Sequence, residues 1–181
     1  HPRTSALHAS PSSDDIKLYT VFETDADCVI LQRKLDDVCD WSNNWQLQIS
    51  YKKCSMINIG KHTVNLNMSL DSNILSVVNE VKDLGVTVDT RLTFDVHIGK
   101  IVARAYRRAN LIHKCFISRD VETLMRAFTV YVRPLLEYAS PVWSPYHVGQ
   151  IKRLESVQRR FTKRLPGLEQ LDYKSRMARL C

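Results

Sequence analysis

Residues 94–115 read FDVHIGKIVARAYRRANLIHKC and decide the fold of the second half of the chain. Apolar side chains recur here at helical spacing and cover about one third of the helix surface, whereas the lysines and arginines fall on the opposite side. The apolar set is Ile98, Ile101, Val102, Ala105, Ala109 and Ile112, and the basic set is Lys100, Arg104, Arg107, Arg108 and Lys114. This pattern predicts an amphipathic basic helix.

Three more helices are predicted after this one. The first begins near Ser118 or Asp120, either of which is a good N-cap, and stops at Pro134, which lacks the N–H that a helix interior needs. The next covers residues 147–164 and again separates an apolar side from a basic side, which contains Lys152, Arg153, Arg159, Arg160 and Lys163. A short helix over residues 173–180 follows. The second half is therefore predicted to be an all-α bundle.

The first half predicts a different architecture. Apolar residues at three-four spacing over residues 26–45 indicate one amphipathic helix. Alternating runs indicate short strands, with a lysine-bearing turn at 51–53 and a second turn at 71–73. The predicted strands are 16–22, 46–50, 54–59, 64–70, 74–78 and 81–88. The chain as a whole is therefore assigned to the α+β class.

The first thirteen residues and the spacing of the cysteines and histidines show no sign of a structured site. The first thirteen residues contain two prolines and four serines without periodicity, and we expect a disordered or foreign tail there. The five cysteines are odd in number and widely spaced, which argues against a disulfide framework and a zinc site, so we interpret them as reduced thiols. The histidines lack metal-ligand spacing, and we expect loop or helix-surface positions for His62, His97, His113 and His147.

No apolar run has membrane-spanning length, and no secretory leader is recognisable, so an intracellular location is expected.

The net charge of +7 is distributed unevenly. Residues 1–99 carry 9 Lys/Arg against 13 Asp/Glu, whereas residues 100–181 carry 17 against 6, which gives −4 and +11. Most charged helix faces are only solvated surfaces, but residues 98–114 contain no acid that could relieve repulsion within the helix. An external polyanion would relieve it. This bias favours nucleic acid as a partner over a membrane.

Asp14 and Asp15 stand side by side before the alternating run 16–22. A carboxylate pair at the edge of a strand can bind a divalent metal ion. Two serines precede the pair, however, and Ser12 to Asp15 can equally be an N-cap or a polar turn. From the residues alone, both interpretations stay open.

Several segments in colinear order resemble one known family. They are Asp14-Asp15-Ile-Lys-Leu-Tyr19, Asp40-Trp-Ser with Trp45-Gln-Leu47, Val81-Lys-Asp-Leu-Gly-Val86, Tyr131-Val-Arg-Pro-Leu-Leu-Glu-Tyr138 and Val157-Gln-Arg-Arg-Phe-Thr-Lys163. Over roughly residues 14–181 the chain is similar to the reverse transcriptases of non-LTR (LINE-type, jockey-like) retrotransposons. The resemblance implies the end of a polymerase palm, a small antiparallel sheet with one packed helix, over 14–90 and a thumb-like helical bundle over 91–181.

The resemblance also implies roles for particular residues. Asp14 and Asp15 would be Mg²⁺ ligands in two-metal catalysis, and Lys53, with Lys52 as its competitor, would protonate the leaving pyrophosphate. Residues 81–88 would be a strand that holds the primer end. The thumb would hold an RNA template and a DNA primer, without a small-molecule cofactor, through the phosphate contacts of Lys100, Arg104, Arg107, Arg108, Arg159, Arg160 and Lys163. The family location would be nuclear and cytoplasmic.

Two departures from the family pattern limit the expected activity. Ser12-Ser13 stand where the family has an aromatic residue and alanine, and the earlier aspartate motif and the fingers are missing. With one carboxylate pair, Mg²⁺ would bind weakly or not at all, because it dehydrates reluctantly. We therefore expect either a reverse transcriptase fragment that is inactive alone or a non-catalytic nucleic-acid-binding or assembly module derived from a mobile element.

Overall fold

The computed structural model describes residues 8–12, 15–60 and 67–180. They fall into two compact units, a first unit within residues 1–79 and a helical unit within residues 80–181. The hairpin at 80–89, which was predicted as part of the palm, lies in the helical unit. The division into tail, palm and thumb stays a prediction.

The first unit combines one long helix with short strands. Strand β1 (His8–Ser12) pairs antiparallel with β2 (Asp15–Tyr19), so part of the expected tail forms a strand. Helix α1 spans Asp25–Asn44, close to its predicted bounds. Four two-residue strands follow: β3 (Ser55–Met56), β4 (Ser69–Leu70), β5 (Asn73–Ile74) and β6 (Ser76–Val77). β4 and β5 form the predicted hairpin with its turn at 71–72, whereas β3 pairs with β6 in parallel.

Helix α1 is fixed at its start and along its buried face. The carboxylate of Asp27 accepts hydrogen bonds from the backbone N–H groups of Glu23 and Thr24 at 2.9 and 2.8 Å, and these bonds lower the pKa of Asp27. Further along, the amide of Gln32 both donates to and accepts from the backbone of Ser69. Leu31 and Met68 form the small core beside it.

The predicted strand at 46–50 does not form. The backbone N–H of Leu47 instead donates to the carbonyl of Ser42, and the hydroxyl of Ser42 donates to the carbonyl of Leu47. These bonds hold the segment against the end of α1, so those backbone groups are not available to a strand partner. The lysine-bearing turn is a 3₁₀ turn at Tyr51–Lys53. In the part of the chain that the structure describes, the sheet predicted for the palm is therefore four separate strand pairs.

The helical unit begins with an antiparallel hairpin and continues with six helices. Strand β7 (Glu80–Asp83) pairs with β8 (Val86–Asp89) through a turn at Leu84 and Gly85, which have φ of 43° and 89°. The helices are α2 (Asp95–Cys115), α3 (Val121–Tyr131), α4 (Arg133–Glu137), α5 (Ser140–Trp143), α6 (Val148–Thr162) and α7 (Tyr173–Leu180). The four predicted helices are confirmed, and α4 and α5 were not predicted.

Two acidic side chains fix the starts of α2 and α3. The Asp89 carboxylate accepts from the backbone N–H groups of Arg91, Thr93 and Phe94 at 2.8–3.1 Å, which orders the loop before α2. Asp120 caps α3 by accepting a hydrogen bond from the N–H of Thr123 at 2.8 Å. Of the two predicted N-caps, Ser118 and Asp120, the second is therefore confirmed. Pro134 ends α3 as predicted, but it also occupies the first turn of α4, where no N–H is needed.

The core of the helical unit lies between α2, α3 and α6. Phe161 on α6 packs against Phe128 on α3, with ring centroids 4.6 Å apart. The other fully or nearly buried members are Ala105, Ala109, Ile112, Leu124, Ala127, Val132, Val157, Leu165 and Leu168. A smaller cluster of Val86, Ile98 and Trp143 joins the hairpin to α2 and α5. None of the described helices has both the length and the apolar character needed to cross a bilayer.

Candidate nucleic-acid interface

Helix α2 presents its cations to solvent. Lys100, Arg104, Arg107 and Lys114 are all exposed and recur at spacings of four, three and seven residues, which puts them on one stripe of the helix. The stripe runs about 21 Å along the axis, at 1.5 Å per residue. Arg108 lies next to it and is also exposed. The opposite side of α2 is buried in the core, so the predicted separation of basic and apolar faces is confirmed.

Helix α6 lies beside α2 and runs in the same direction. Near the start of both helices, Asp95 pairs with Arg153, with nitrogen and oxygen 3.3 Å apart. Midway, the hydroxyl of Tyr106 hydrogen-bonds Ser156 at 2.6 Å. Further along, Arg164, which follows the end of α6, donates to the side chain of Asn110 at 2.7 Å. The side-by-side packing brings three arginines of this segment, Arg153, Arg160 and Arg164, into contact with residues of α2.

The seven predicted phosphate contacts are all exposed, but they differ in their own partners. Lys100 pairs with Glu80 at 3.0 Å, and Arg159 pairs with Glu155 at 3.2 Å. Both pairs are half exposed, so each contributes about 0–1 kcal/mol and can be replaced by a phosphate at small cost. Arg160 lies over the ring of Tyr106, 5.5 Å from its centroid. The side chains of the other four make no hydrogen bond or ion pair with any described residue; they belong to Arg104, Arg107, Arg108 and Lys163.

The charge of the helical unit as a whole supports the same surface. Residues 80–181 contain 19 Lys/Arg and 10 Asp/Glu, a net charge of +9. A surface of one sign attracts polyanions, and exposed arginines without carboxylate partners suit phosphate oxygens. The arrangement therefore suits a phosphate backbone. Contacts with phosphates contribute to affinity but do not distinguish one base sequence from another.

The predicted catalytic residues are not assembled into a site by the described residues. Asp14 lies outside the described residues, and Asp15 opens β2 opposite Ser12 with its side chain also outside them. Lys53 and its competitor Lys52 are exposed in the 3₁₀ turn. Over 8–12, 15–60 and 67–180, no three His, Cys, Asp or Glu side chains come together as metal ligands. The described residues therefore do not fit a two-metal centre, and the Mg²⁺ assignment stays a prediction.

The segment predicted as a single primer-holding strand is a hairpin instead. Gly85 has the positive φ that its turn requires, and a Cβ at this position would lie 3.2 Å from the Tyr138 ring. The Tyr138 hydroxyl donates to the carbonyl of Leu84 at 3.0 Å, and Thr87 donates its N–H to Nδ1 of His97 at 3.1 Å. The hairpin is thus held at its turn and at Thr87 by residues of the helical part. Its role at a primer end stays a prediction.

Two histidines expected at the surface are buried, so that prediction was wrong for them. His97 is 2% exposed beside Trp143, and His113 is 6% exposed beside Phe161. Burial lowers the pKa of both rings, and the positive charges of Lys100 near His97 and Arg164 near His113 lower it further. His113 stands four residues after Ala109 on the apolar face, a signal that the sequence did contain. His147 is exposed as predicted, and His62 lies outside the described residues.

We expect the stability of the helical unit to fall between pH 7.5 and 5.5. Below about pH 6.5 the unfolded histidines bind protons, whereas the folded rings stay neutral because their pKa values are lowered. The neutral rings therefore make their full contribution to the free energy of unfolding above about pH 6.5, and this contribution is lost as the pH falls towards the folded pKa values. The melting temperature should therefore be lower at pH 5.5 than at pH 7.5. The carboxylates with lowered pKa, such as Asp89, act only at lower pH.

Two variants make this test specific. His97→Asn keeps an acceptor for the Thr87 N–H and should flatten the pH dependence of the melting temperature. His147→Asn changes an exposed ring and should leave the profile as it is. An equally steep profile in His97→Asn and the unchanged protein would contradict a contribution from His97.

The tryptophans and cysteines follow the predictions in part. Tryptophans are more often core anchors than base-stacking platforms, which predicts burial for Trp41, Trp45 and Trp143. Trp143 is a core residue, and its indole N–H donates to the carbonyl of Tyr138 at 2.8 Å. Trp41 and Trp45 are exposed by 46% and 68%, so the expectation of core anchors was wrong for them. Four cysteines are free thiols, and Cys181 lies outside the described residues.

The chain is similar to several known proteins. It is 32% identical over 87 residues to an uncharacterized protein of Caenorhabditis elegans, a match that covers 48% of this chain and 44% of that protein. It is 24% identical to the RNA-directed DNA polymerase from mobile element jockey of Drosophila melanogaster, over 76% of this chain and 15% of that protein. The corresponding polymerase of Drosophila funebris is 26% identical over 86% of this chain and 18% of its own length.

These matches show distant homology to the RNA-directed DNA polymerases of jockey-like non-LTR retrotransposons, as the sequence motifs predicted. The chain spans less than half the length of the first relative and less than a fifth of the polymerases. No family model matches the chain. No solved structure matches it significantly.

Proposed function

We propose that the helical unit binds the phosphate backbone of an RNA–DNA duplex, as the thumb of a non-LTR reverse transcriptase would, and that this chain alone does not synthesise DNA. The observation that carries the proposal is the exposed basic surface of α2 and α6, four of whose cations lack any described partner. Homology to RNA-directed DNA polymerases supplies the template and primer as partners.

Electrostatics explain how this surface would work. Each arginine or lysine that contacts a phosphate releases condensed counterions, and this release drives binding without regard to sequence. The weak pairs of Lys100 and Arg159 with their acids can exchange for phosphate contacts at small cost. A duplex would thus be held firmly but without base specificity, which suits a protein that moves along its template.

In this proposal Asp14, Asp15 and Lys53 are remnants of the polymerase palm. Asp14 and Asp15 would be the metal-binding pair and Lys53 the proton donor in a complete enzyme. The alternative function is a non-catalytic nucleic-acid-binding or assembly module. Such a module would use the same exposed cations of α2 and α6 and would not need the metal-binding pair.

The test measures binding and synthesis on one substrate, a labelled RNA template annealed to a DNA primer. Four phosphate contacts predict that affinity falls about a hundredfold between about 50 and 200 mM salt. Primer extension with Mg²⁺ should give no product, either with the unchanged chain or with Asp14→Ala. No binding, or binding that salt does not weaken, would contradict the thumb role. Product that depends on Asp14 would contradict the alternative function and the expected inactivity.

A further inference from the structure

Helix α7 contains a buried arginine that no carboxylate neutralises within ion-pair distance among the described residues. Arg176 is 5% exposed. One of its terminal nitrogens donates to the carbonyl of Leu171 at 2.5 Å, but its Nε has no hydrogen-bond partner in the described part of the chain. Buried arginines are normally paired, because a buried charge without a counter-charge costs several kcal/mol.

A second guanidinium shares the same aromatic ring. The Arg159 guanidinium lies over Tyr173, 4.3 Å from the ring centroid, and that of Arg176 lies 5.6 Å from it. The two guanidinium carbons are therefore within about 10 Å of each other, where like charges still repel appreciably near a protein surface. The ring attracts both cations but carries no net charge.

The acids near this pair do not neutralise it. Glu155 forms an ion pair with Arg159, and this pair is weak because both side chains are half exposed. Asp172 feels the charge of Arg176, but its carboxylate is engaged by Ser175, whose hydrogen bonds are the main cause of its lowered pKa. Among the described residues, Arg176 thus has no carboxylate at ion-pair distance, and its Nε–H is left without an acceptor at the contact between α6 and α7.

We propose that Arg159, Tyr173 and Arg176 form a binding site for one phosphate group of the bound nucleic-acid strand. A phosphate oxygen accepts from guanidinium N–H groups in paired geometry, and it would supply the counter-charge that Arg176 lacks. Because Arg159 belongs to the basic face of α6, the site extends that surface onto α7. The proposal rests on the proposed function and names a contact that sequence reasoning missed, since residues 173–180 contain no cluster of free cations on one face.

The test uses the full chain and the labelled RNA–DNA duplex. Arg176→Met removes the charge but keeps a side chain of suitable length for a buried position, and Arg179→Met removes an exposed charge from the same helix as the control. Arg176→Met should weaken binding about eightfold at 0.1 M salt and lower the slope of log affinity against log salt by about 0.9. Arg179→Met should change affinity less than about twofold. The melting temperature of Arg176→Met should stay equal or rise, because an apolar side chain replaces an unpaired buried charge.

Each other outcome has a defined meaning. If the unchanged chain binds the duplex and Arg176→Met binds it with the same affinity and slope, the phosphate site is wrong and the proposed function stands. If the unchanged chain does not bind, both are wrong. If Arg176→Met is unfolded, Arg176→Lys takes its place, since it keeps the charge without the planar fork. It should bind about threefold more weakly or worse, and equal binding would overturn the site.

Discussion

Replacing Phe161 with alanine should lower the free energy of unfolding of the helical unit by about 3–5 kcal/mol, the usual cost of a buried phenylalanine truncated in a tight core. Phe161 is 1% exposed and packs against His113 and Phe128, with ring centroids 4.5 and 4.6 Å away. Its loss would leave a cavity between three helices. Because single domains are typically stable by only 5–15 kcal/mol, this change removes a large share of the total.

Urea unfolding followed by the fluorescence of Trp143 measures this effect. Trp143 is buried in the helical unit, whereas Trp41 and Trp45 are already exposed in the first unit, so the spectral change on unfolding reports mainly on Trp143. Val148→Ala, an exposed truncation on the same helix, should change stability by no more than about 0.5 kcal/mol. A loss below about 1 kcal/mol for Phe161→Ala would mean that the ring does not hold the three helices together.

The helices of the second half could be predicted because their signals are local. The periodicity of α2 and α6, the cap at Asp120 and the stop at Pro134 each depend on residues within a few turns. His97 shows the limit of this reasoning. It stands next to Ile98 near the start of α2. It is buried by Trp143, which lies far along the chain, and by β8, whose Thr87 lies before the loop that leads into α2. No local pattern predicts such a contact.

The strands of the first half could be predicted only in part, because short alternating runs are weak signals. The turn at Asp71 and Ser72 was located correctly, because polar residues of this kind favour turns. Both residues adopt the positive φ that a two-residue hairpin turn needs. Residues 46–50 alternate just as regularly, yet hydrogen bonds between Leu47 and Ser42 keep them at the end of α1. Leu47 is 54% exposed, so the alternation did not reflect a buried face.

The basic surface was predictable as a face but not as a set of contacts. The sequence places Lys100 and Arg104 on one side of α2, and they are there. It does not show that Glu80, twenty residues earlier, pairs with Lys100, or that Arg160 lies over Tyr106. These partners matter because they distinguish cations that already have a neighbour from cations that are free for phosphate. Arg104, Arg107 and Arg108 belong to the second kind.

The triple change Arg104→Gln, Arg107→Gln and Arg108→Gln should therefore have the largest effect on nucleic-acid binding. Each lost phosphate contact lowers the slope of log affinity against log salt by about 0.9, which corresponds to about eightfold in affinity at 0.1 M salt. Three contacts give about 500-fold at 0.1 M, and the difference should shrink as the salt concentration approaches 1 M. The fold should be unaffected, because none of the three has a partner among the described residues and glutamine is a good helix former.

A second triple variant separates this surface from net charge. Arg91→Gln, Arg126→Gln and Arg179→Gln remove the same number of charges from exposed positions of the helical unit that lie outside α2. If binding depended only on the total charge of the chain, both triple variants would weaken it equally and by the same salt slope. A specific surface on α2 predicts instead that the control loses less than about tenfold, because its three residues do not belong to that surface. Equal losses would locate binding in the general charge of the protein rather than in α2.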